Sequence, residues 1–128
     1  MAKGLSEAQH QANVIKWTQQ PSIRHQWPEL ALLHHIPNGG SRDNVEGKHL
    51  KQQGVKSGVP DLCLPVPRGR YHGLYIEMKK EDGKTSPDQE WWGDRLQTQG
   101  YAWTVCHGYQ AAIDVLQWYM ALPAGVEL

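Results

Sequence analysis

The sequence has few cysteines, no phenylalanine and no long apolar segment. Its 128 residues include two cysteines and no phenylalanine. Two cysteines are too few for a disulfide scaffold or a cysteine-based zinc site. No segment approaches the roughly 18 apolar residues that a membrane helix needs, so we expect no membrane partner. The first residues carry no apolar signal-peptide core, and we therefore expect a cytoplasmic protein.

Length and composition favour a single globular domain over residues 1–128. Hydrophobic residues make up 39% of the chain and charged residues 20%, which is typical of neither disorder nor a coiled coil. The net charge is +0, but the charges are unevenly spread. Residues 39–84 carry nine basic and six acidic side chains. A basic middle on a neutral chain is compatible with phosphate binding.

Local signals predict the element order α-β-(basic segment)-β-β-α-β-α. Ser6 with Gln9 and Ser86 with Gln89 form the capping boxes that begin helices. Apolar periodicity and turn residues set the other bounds. The predicted helices begin at residues 6, 86 and 109, and the predicted strands cover residues 30–36, 61–66, 74–79 and 101–107. Residues 39–58 have no aromatic and few aliphatic residues, so we expect a mobile basic arm with one or two helical turns over 46–53.

The two central strands predict a hairpin that pairs about Gly69. The predicted partners are Leu62 with Ile76, Leu64 with Leu74, and Val66 with His72. This register puts the aliphatic side chains on one face, and it places Asp61 opposite Glu77 with Lys79 on the same face.

This hairpin predicts a metal-dependent active site. Two opposed carboxylates repel one another when they are partly buried, and a divalent cation between them removes that repulsion. Oxygen ligands suit Mg²⁺ or Mn²⁺, and the Met78 carbonyl could add a further ligand. Lys79 could position an attacking water and neutralise charge that develops on a phosphate. We expect no organic cofactor.

Three motifs resemble the PD-(D/E)XK nuclease superfamily, and within it the VRR-NUC (virus-type replication–repair nuclease) family. They are the segment Gly58-Val59-Pro60-Asp61-Leu62, the segment Ile76-Glu77-Met78-Lys79, and the helix start Ser86-Pro87-Asp88-Gln89. The resemblance covers roughly residues 5–120. It implies an α/β fold, with a restriction-endonuclease-like α-β-β-β-α-β core, a mixed sheet flanked by helices and a C-terminal helix.

The resemblance also implies a function and a set of site residues. The function is a Mg²⁺- or Mn²⁺-dependent DNA endonuclease in phage-type replication, recombination or repair. Asp61 and Glu77 would be metal ligands, Lys79 the catalytic lysine, and Gln89 a helix residue near the site. A glutamate on the first helix recurs in the superfamily, which points to Glu7 as a catalytic residue and metal ligand.

Short members of the family resemble phage proteins that dimerise and act on branched DNA, such as four-way junctions, so we expect both properties. The basic residues predicted to contact DNA are Arg42, Lys48, Lys51, Lys56, Arg68, Arg70 and Lys80. The aromatic residues predicted to supply a dimer interface are Trp91, Trp92, Trp118 and Tyr119. Aromatic side chains are enriched at interface cores.

Three alternatives stay open at this point. One is an HNH-type nuclease, built on His34, His35 and His49 with Asn38 or Asn44. Another is a zinc site drawn from His25, Cys63, His72, Cys106 and His107. The last is a catalytically silent DNA-binding or nicking-accessory protein with the same fold.

Overall fold

The computed structural model describes residues 4–37 and 44–124, and the side chains of residues 44–46 lie outside that description. The helices are α1 (Glu7–Gln19), α2 (Pro21–Gln26), a 3₁₀ helix (Pro28–Leu32), α3 (Asn44–Gln52), α4 (Pro87–Thr98) and α5 (Tyr109–Met120). The strands are β1 (His34–His35), β2 (Leu62–Leu64), β3 (Leu74–Lys79) and β4 (Ala102–His107). Among the described residues, no helix is long and apolar enough to cross a membrane.

The four strands form one mixed sheet in the order β1-β2-β3-β4. β1 with β2 and β2 with β3 pair antiparallel, whereas β3 with β4 pairs parallel. The parallel pair needs a crossover connection, and α4 supplies it. Helices pack against the sheet, with contacts from α1 to β3, from α4 to β4, and from α5 to both strands. The predicted α/β class and mixed sheet are therefore confirmed.

The central hairpin has the predicted register over the length of β2. Leu62 pairs with Ile76 and Leu64 with Leu74. The predicted pair of Val66 with His72 is wrong, because His72 donates its backbone N–H to the Gly100 carbonyl at 2.9 Å. The aliphatic face is buried as predicted, and its members are Leu62, Leu64, Val66, Leu74, Ile76 and Met78.

Two of the predicted elements differ in the structure. Residues 30–36 are not a buried strand, because Pro28 begins a 3₁₀ helix that leaves only the exposed residues His34 and His35 to pair with β2. The basic segment contains the nine-residue helix α3, which confirms the predicted helical turns and begins two residues earlier, at Asn44. Residues 38–43 lie outside the described part of the chain, and mobility of the segment stays a prediction.

Helix α1 does not turn its alanine residues towards the interior of the protein. His10, Val14 and Thr18 face the interior at spacings of four, whereas Ala8 and Ala12 are exposed. His10 is kept inside because its Nδ1 accepts the backbone N–H of Tyr109 at 3.0 Å. This bond satisfies one of the open donors at the start of α5, so a polar residue docks the two helices together.

Helix α4 lies close against β4 because of a glycine in its middle. A Cβ built on Gly93 would come within 2.4–2.6 Å of the Trp103 indole ring, so any other residue would push the helix away from the strand. The C-terminal end is fixed by Gly100, whose φ of +89° favours glycine. This packing sets the position of the first turn of α4, which carries Gln89.

Candidate active site

Asp61 lies at the start of β2, where the edge strand β1 pairs with the central hairpin. It directly precedes β2, and its carboxylate Oδ2 accepts the backbone N–H of Met78 at 2.7 Å. Its own carbonyl oxygen accepts the backbone N–H of Ile36 at 2.8 Å and lies 2.8 Å from Nδ1 of His35. The register that continues from β2 brings this carboxylate beside Glu77, as predicted.

Glu77 is a buried carboxyl group with one oxygen unsatisfied. The residue is 2% exposed, and its Oε2 accepts a hydrogen bond from the Gln89 side-chain amide at 3.2 Å. Its Oε1 is buried and has no hydrogen-bond partner within the described part of the chain. The pKa of Glu77 is raised to about 9, first because burial disfavours the charged form and second because Asp61 lies beside it.

Gln89 joins the start of α4 to this carboxyl group. Its Oε1 accepts the Ser86 backbone N–H at 2.8 Å, which completes the predicted capping box. Its Nε2 donates to Glu77 from the other end of the same amide. One side chain therefore fulfils both the capping role and the contact to the site.

Lys79 lies two residues after Glu77 and points to the same face of β3. It is 8% exposed, and its Nζ lies 3.8 Å from Oε1 of Glu7. Its aliphatic stem packs beside Gly83, where an added Cβ would come within 3.3 Å of the lysine. The Glu7 carboxylate is half exposed, so α1 presents a solvent-facing anion to a largely enclosed ammonium group.

The backbone of Met78 faces the same carboxylate. In a strand, the N–H and C=O of one residue point to the same side. Because the Met78 N–H binds Asp61, the Met78 carbonyl oxygen also points to the β2 side of β3. No residue of β2 lies opposite Met78 there, because β2 begins at Leu62. The buried methionine side chain belongs to the core.

These donors fit a small oxygen-preferring cation. Two carboxyl groups lie side by side, one Glu77 oxygen lacks a partner within the described part of the chain, and the Met78 carbonyl points to the same side of β3. In residues 4–37 and 44–124 no group of three or more His, Cys, Asp or Glu side chains could hold a metal ion. The donor set therefore contains two carboxylates, and Glu7 lies beside it as the partner of Lys79.

The basic residues predicted to contact DNA fall at separate places. Lys48 and Lys51 are exposed on α3, Lys56 is exposed on the segment that leads to Asp61, and Lys80 is exposed directly after β3. Arg42 lies outside the described residues.

Arg68 and Arg70 lie in the turn at the far end of the hairpin. β3 separates that turn from Lys79 by about 17 Å at the usual rise per residue. Arg68 is paired with Glu29 at 3.2 Å and is only 13% exposed, so it ties the turn to the 3₁₀ helix.

Among the described residues, the members of the two alternative sites form no cluster of three or more that could hold a metal ion. Cys63 and Cys106 are buried on β2 and β4, with β3 between them, a separation of about 10 Å between strands. His35 contacts Asp61 only at its backbone carbonyl, and His34 lies 2.9 Å from the Leu32 carbonyl. Asn38 lies outside the described residues, as does the side chain of Asn44.

Two histidines support the site in ways that the sequence did not indicate: His10 was not singled out, and His107 was considered only for a zinc site. His10 lies one turn after Glu7 and fixes α1 against the start of α5, next to Gly108, whose N–H donates to the Lys79 carbonyl at 2.8 Å. His107 lies with its Nε2 3.0 Å from the Gly83 carbonyl and so holds the loop that covers Lys79. The spacing of three between Glu7 and His10 was the available signal, since such residues share one helix face.

Comparisons with known proteins agree with this fold. The family model described as the VRR-NUC domain matches residues 5–110. A solved structure described as a VRR_NUC domain protein superposes with a TM-score of 0.83 at 33% sequence identity, covering 98% of this chain and 96% of that chain. A search of curated proteins finds no match.

The raised pKa of Glu77 predicts how the stability of the metal-free protein depends on pH. An unfolded glutamate releases its proton near 4.5, whereas folded Glu77 retains it to about 9. The proton that folded Glu77 retains therefore contributes fully to the free energy of unfolding below pH 4.5. This contribution falls as pH rises from 4.5 and is lost once pH has risen through 9. The slope can reach about 1.4 kcal/mol per pH unit. Urea unfolding in EDTA from pH 5.5 to 8.5 should show this loss.

Glu77→Gln keeps the shape of the side chain and removes its titration, so the variant should lose that part of the slope. Glu81→Gln, at an exposed position of the following loop, is the matched control and should keep the wild-type slope. A Glu77→Gln protein with the wild-type pH dependence would contradict the assignment.

Proposed function

The chain belongs to the VRR-NUC family of PD-(D/E)XK-type nucleases, and from this premise we propose that it is a Mg²⁺- or Mn²⁺-dependent DNA endonuclease. The observation that carries the proposal is the pairing of the buried Glu77 with the partly buried Asp61, with one Glu77 oxygen left without a partner among the described residues. Such a pair is unfavourable in a protein interior unless a cation or a proton compensates it. Its position beside an enclosed lysine supports phosphodiester hydrolysis rather than a structural role.

The ligands to the cation would be the Asp61 and Glu77 carboxylates and the Met78 carbonyl. A divalent cation bound there would neutralise the carboxylates, activate water and stabilise negative charge on the phosphate. Gln89 restrains one oxygen of Glu77 and thereby leaves the other directed at the site. Asp61 is restrained in the same way by the Met78 N–H.

Lys79 would act on the reacting phosphate. Hydrolysis requires water to attack phosphorus while the bond to the leaving oxygen breaks and that oxygen takes a proton. A fixed ammonium group stabilises the negative charge that accumulates on the phosphate oxygens during the attack. Glu7 holds the ammonium group in place through their contact at 3.8 Å, so we assign Glu7 a positioning role at Lys79.

The exposed lysines near this edge would hold the DNA backbone. Lys56 lies five residues before Asp61 and Lys80 directly follows Lys79, so both flank the proposed site. Lys48 and Lys51 on α3 would extend this contact, and Arg42 would join it from the segment before α3. Arg68 and Arg70 would reach only DNA that extends to the far end of the hairpin.

We also propose a homodimer that cuts branched DNA, because a two-fold dimer offers two related sites for two cuts. Trp118 supports this proposal, since it is 48% exposed on α5. The outer side of β4 pairs with no strand among the described residues, which leaves a second feature open to a partner. Tyr119 is fully buried and is removed from the predicted interface, and Trp92 is partly buried.

Lys79→Ala should lower the cleavage rate by at least about a hundredfold while the fold and the DNA affinity persist. The loss is expected because the ammonium group acts on the transition state and contributes little to the core. Cleavage of linear, nicked, flapped and four-way DNA with Mg²⁺ measures the effect, and circular dichroism checks the fold.

Lys84→Ala, an exposed position in the loop after β3, is the control for loss of one positive charge. It should cut at the wild-type rate. A Lys79→Ala protein that cuts as fast as wild type would refute the mechanism. A wild type that binds DNA and never cuts it would instead favour the catalytically silent binding protein.

Light scattering at micromolar concentration should give about twice the 14.5 kDa mass of one chain. Trp118→Ala should shift the protein towards the monomer, since it removes the most exposed aromatic group of that face. Mixed dimers of wild type and Lys79→Ala should nick one strand of a four-way junction without resolving it. A wild-type mass equal to that of one chain would end the dimer proposal.

A further inference from the structure

A cavity of about 470 Å³ opens beside α4 and shares no lining residue with the cavity that Trp118 borders. The lining residues that matter here are Lys56, Ser57, Asp88, Trp91, Trp92 and Arg95. Its volume falls within the range of pockets that hold small ligands. None of the contacts that define the proposed active site uses this cavity.

Two indole rings form an aromatic wall in this cavity. Trp92 is fixed, because its indole N–H donates to the Ser57 carbonyl at 3.0 Å. Trp91 lies against it edge to face, with ring centroids 5.8 Å apart and planes at 84°. Trp91 is nevertheless 53% exposed, which makes it the most exposed of the large hydrophobic side chains described. A rigid aromatic surface is thus presented to solvent.

The rim of the cavity is basic. The Arg95 guanidinium lies 5.4 Å from the centroid of the Trp91 ring, and Lys56 stands on the opposite segment. Asp88 is the single acidic residue of the lining. Aromatic surfaces flanked by cations are the arrangement with which proteins stack unpaired bases and hold their phosphates.

The cavity and the proposed active site are held by the same two segments, which are helix α4 and the residues from Gly58 to Asp61. Trp92 and Arg95 lie three and six residues after Gln89 on α4, about 4.5 and 9 Å along the helix axis. Gly58 packs so closely on α4 that an added Cβ would come within 2.6 Å of the Asp88 backbone carbon, and Asp61 follows three residues later.

We propose that this cavity binds an unpaired nucleotide of the DNA substrate, with its base stacked on Trp91 and its phosphates next to Lys56 and Arg95. The proposal rests on the proposed nuclease function and adds a substrate class to it: DNA with an unpaired position close to the cut. A second copy of the chain is a poorer occupant. A two-fold contact would set this basic rim against the same basic rim.

The test compares two duplexes of the same sequence, one fully paired and one with a three-nucleotide single-stranded gap containing 2-aminopurine. Anisotropy measured in EDTA gives both affinities without cleavage. Wild type should prefer the gapped DNA. Trp91→Ala should weaken gapped binding by about tenfold, as expected for loss of one stacked base, and should leave duplex binding within twofold. Trp91→Phe retains a stacking ring and should recover most of the loss.

The fluorescence of 2-aminopurine supplies a readout that altered folding would not mimic. Stacking should quench it in wild type and in Trp91→Phe, and not in Trp91→Ala. Equal losses on both duplexes, no loss on either, or a wild type without preference for the gap would overturn the proposal. Conversion of a dimer to a monomer by Trp91→Ala would also overturn it, in favour of a subunit interface.

Failure of the nuclease proposal has a different signature. Wild type would bind the gapped DNA with quenching that depends on Trp91, and it would cut neither duplex when Mg²⁺ or Mn²⁺ is added. That outcome would support the nucleotide-binding site and contradict the catalytic assignment.

Discussion

The structure is organised around the repulsion between two carboxyl groups that the hairpin forces together. Asp61 and Glu77 face one another because β2 and β3 bury their aliphatic side chains in one register, and a shift by one residue would expose that face. The core therefore fixes the pair, and the pair is unfavourable without a proton or a cation. Stability of the fold and chemistry at its edge are coupled through the same two strands.

The surrounding elements hold this arrangement from several directions. Gln89 reaches Glu77 because Gly93 lets α4 lie directly on Trp103 of β4. Glu7 reaches Lys79 because His10 docks α1 on the first residue of α5. Helices α1 and α4 thus each contribute one restraint to the site, which keeps the reactive side chains in place with few degrees of freedom.

The sequence predicted the parts of the structure that local patterns determine. Capping boxes marked the starts of α1 and α4, and alternation along residues 61–66 and 74–79 determined the register that opposes Asp61 to Glu77. The rest depended on tertiary contacts. Burial of His10 depends on its role as the acceptor for the Tyr109 backbone N–H, 99 residues away. The edge strand is shorter than predicted, at His34–His35, because Pro28 begins a 3₁₀ helix. Trp91 and Trp92 were identified, but only the packed helix shows which is exposed.

Binding of Mg²⁺ to the metal-free protein tests the central claim most directly, because it asks whether a cation compensates the paired carboxyl groups of Asp61 and Glu77. The melting temperature should rise with Mg²⁺ in wild type and in the surface control Asp82→Asn, since a ligand that binds only the folded state stabilises it. Asp61→Asn should show no such rise. An equal rise in wild type and in Asp61→Asn would contradict the account.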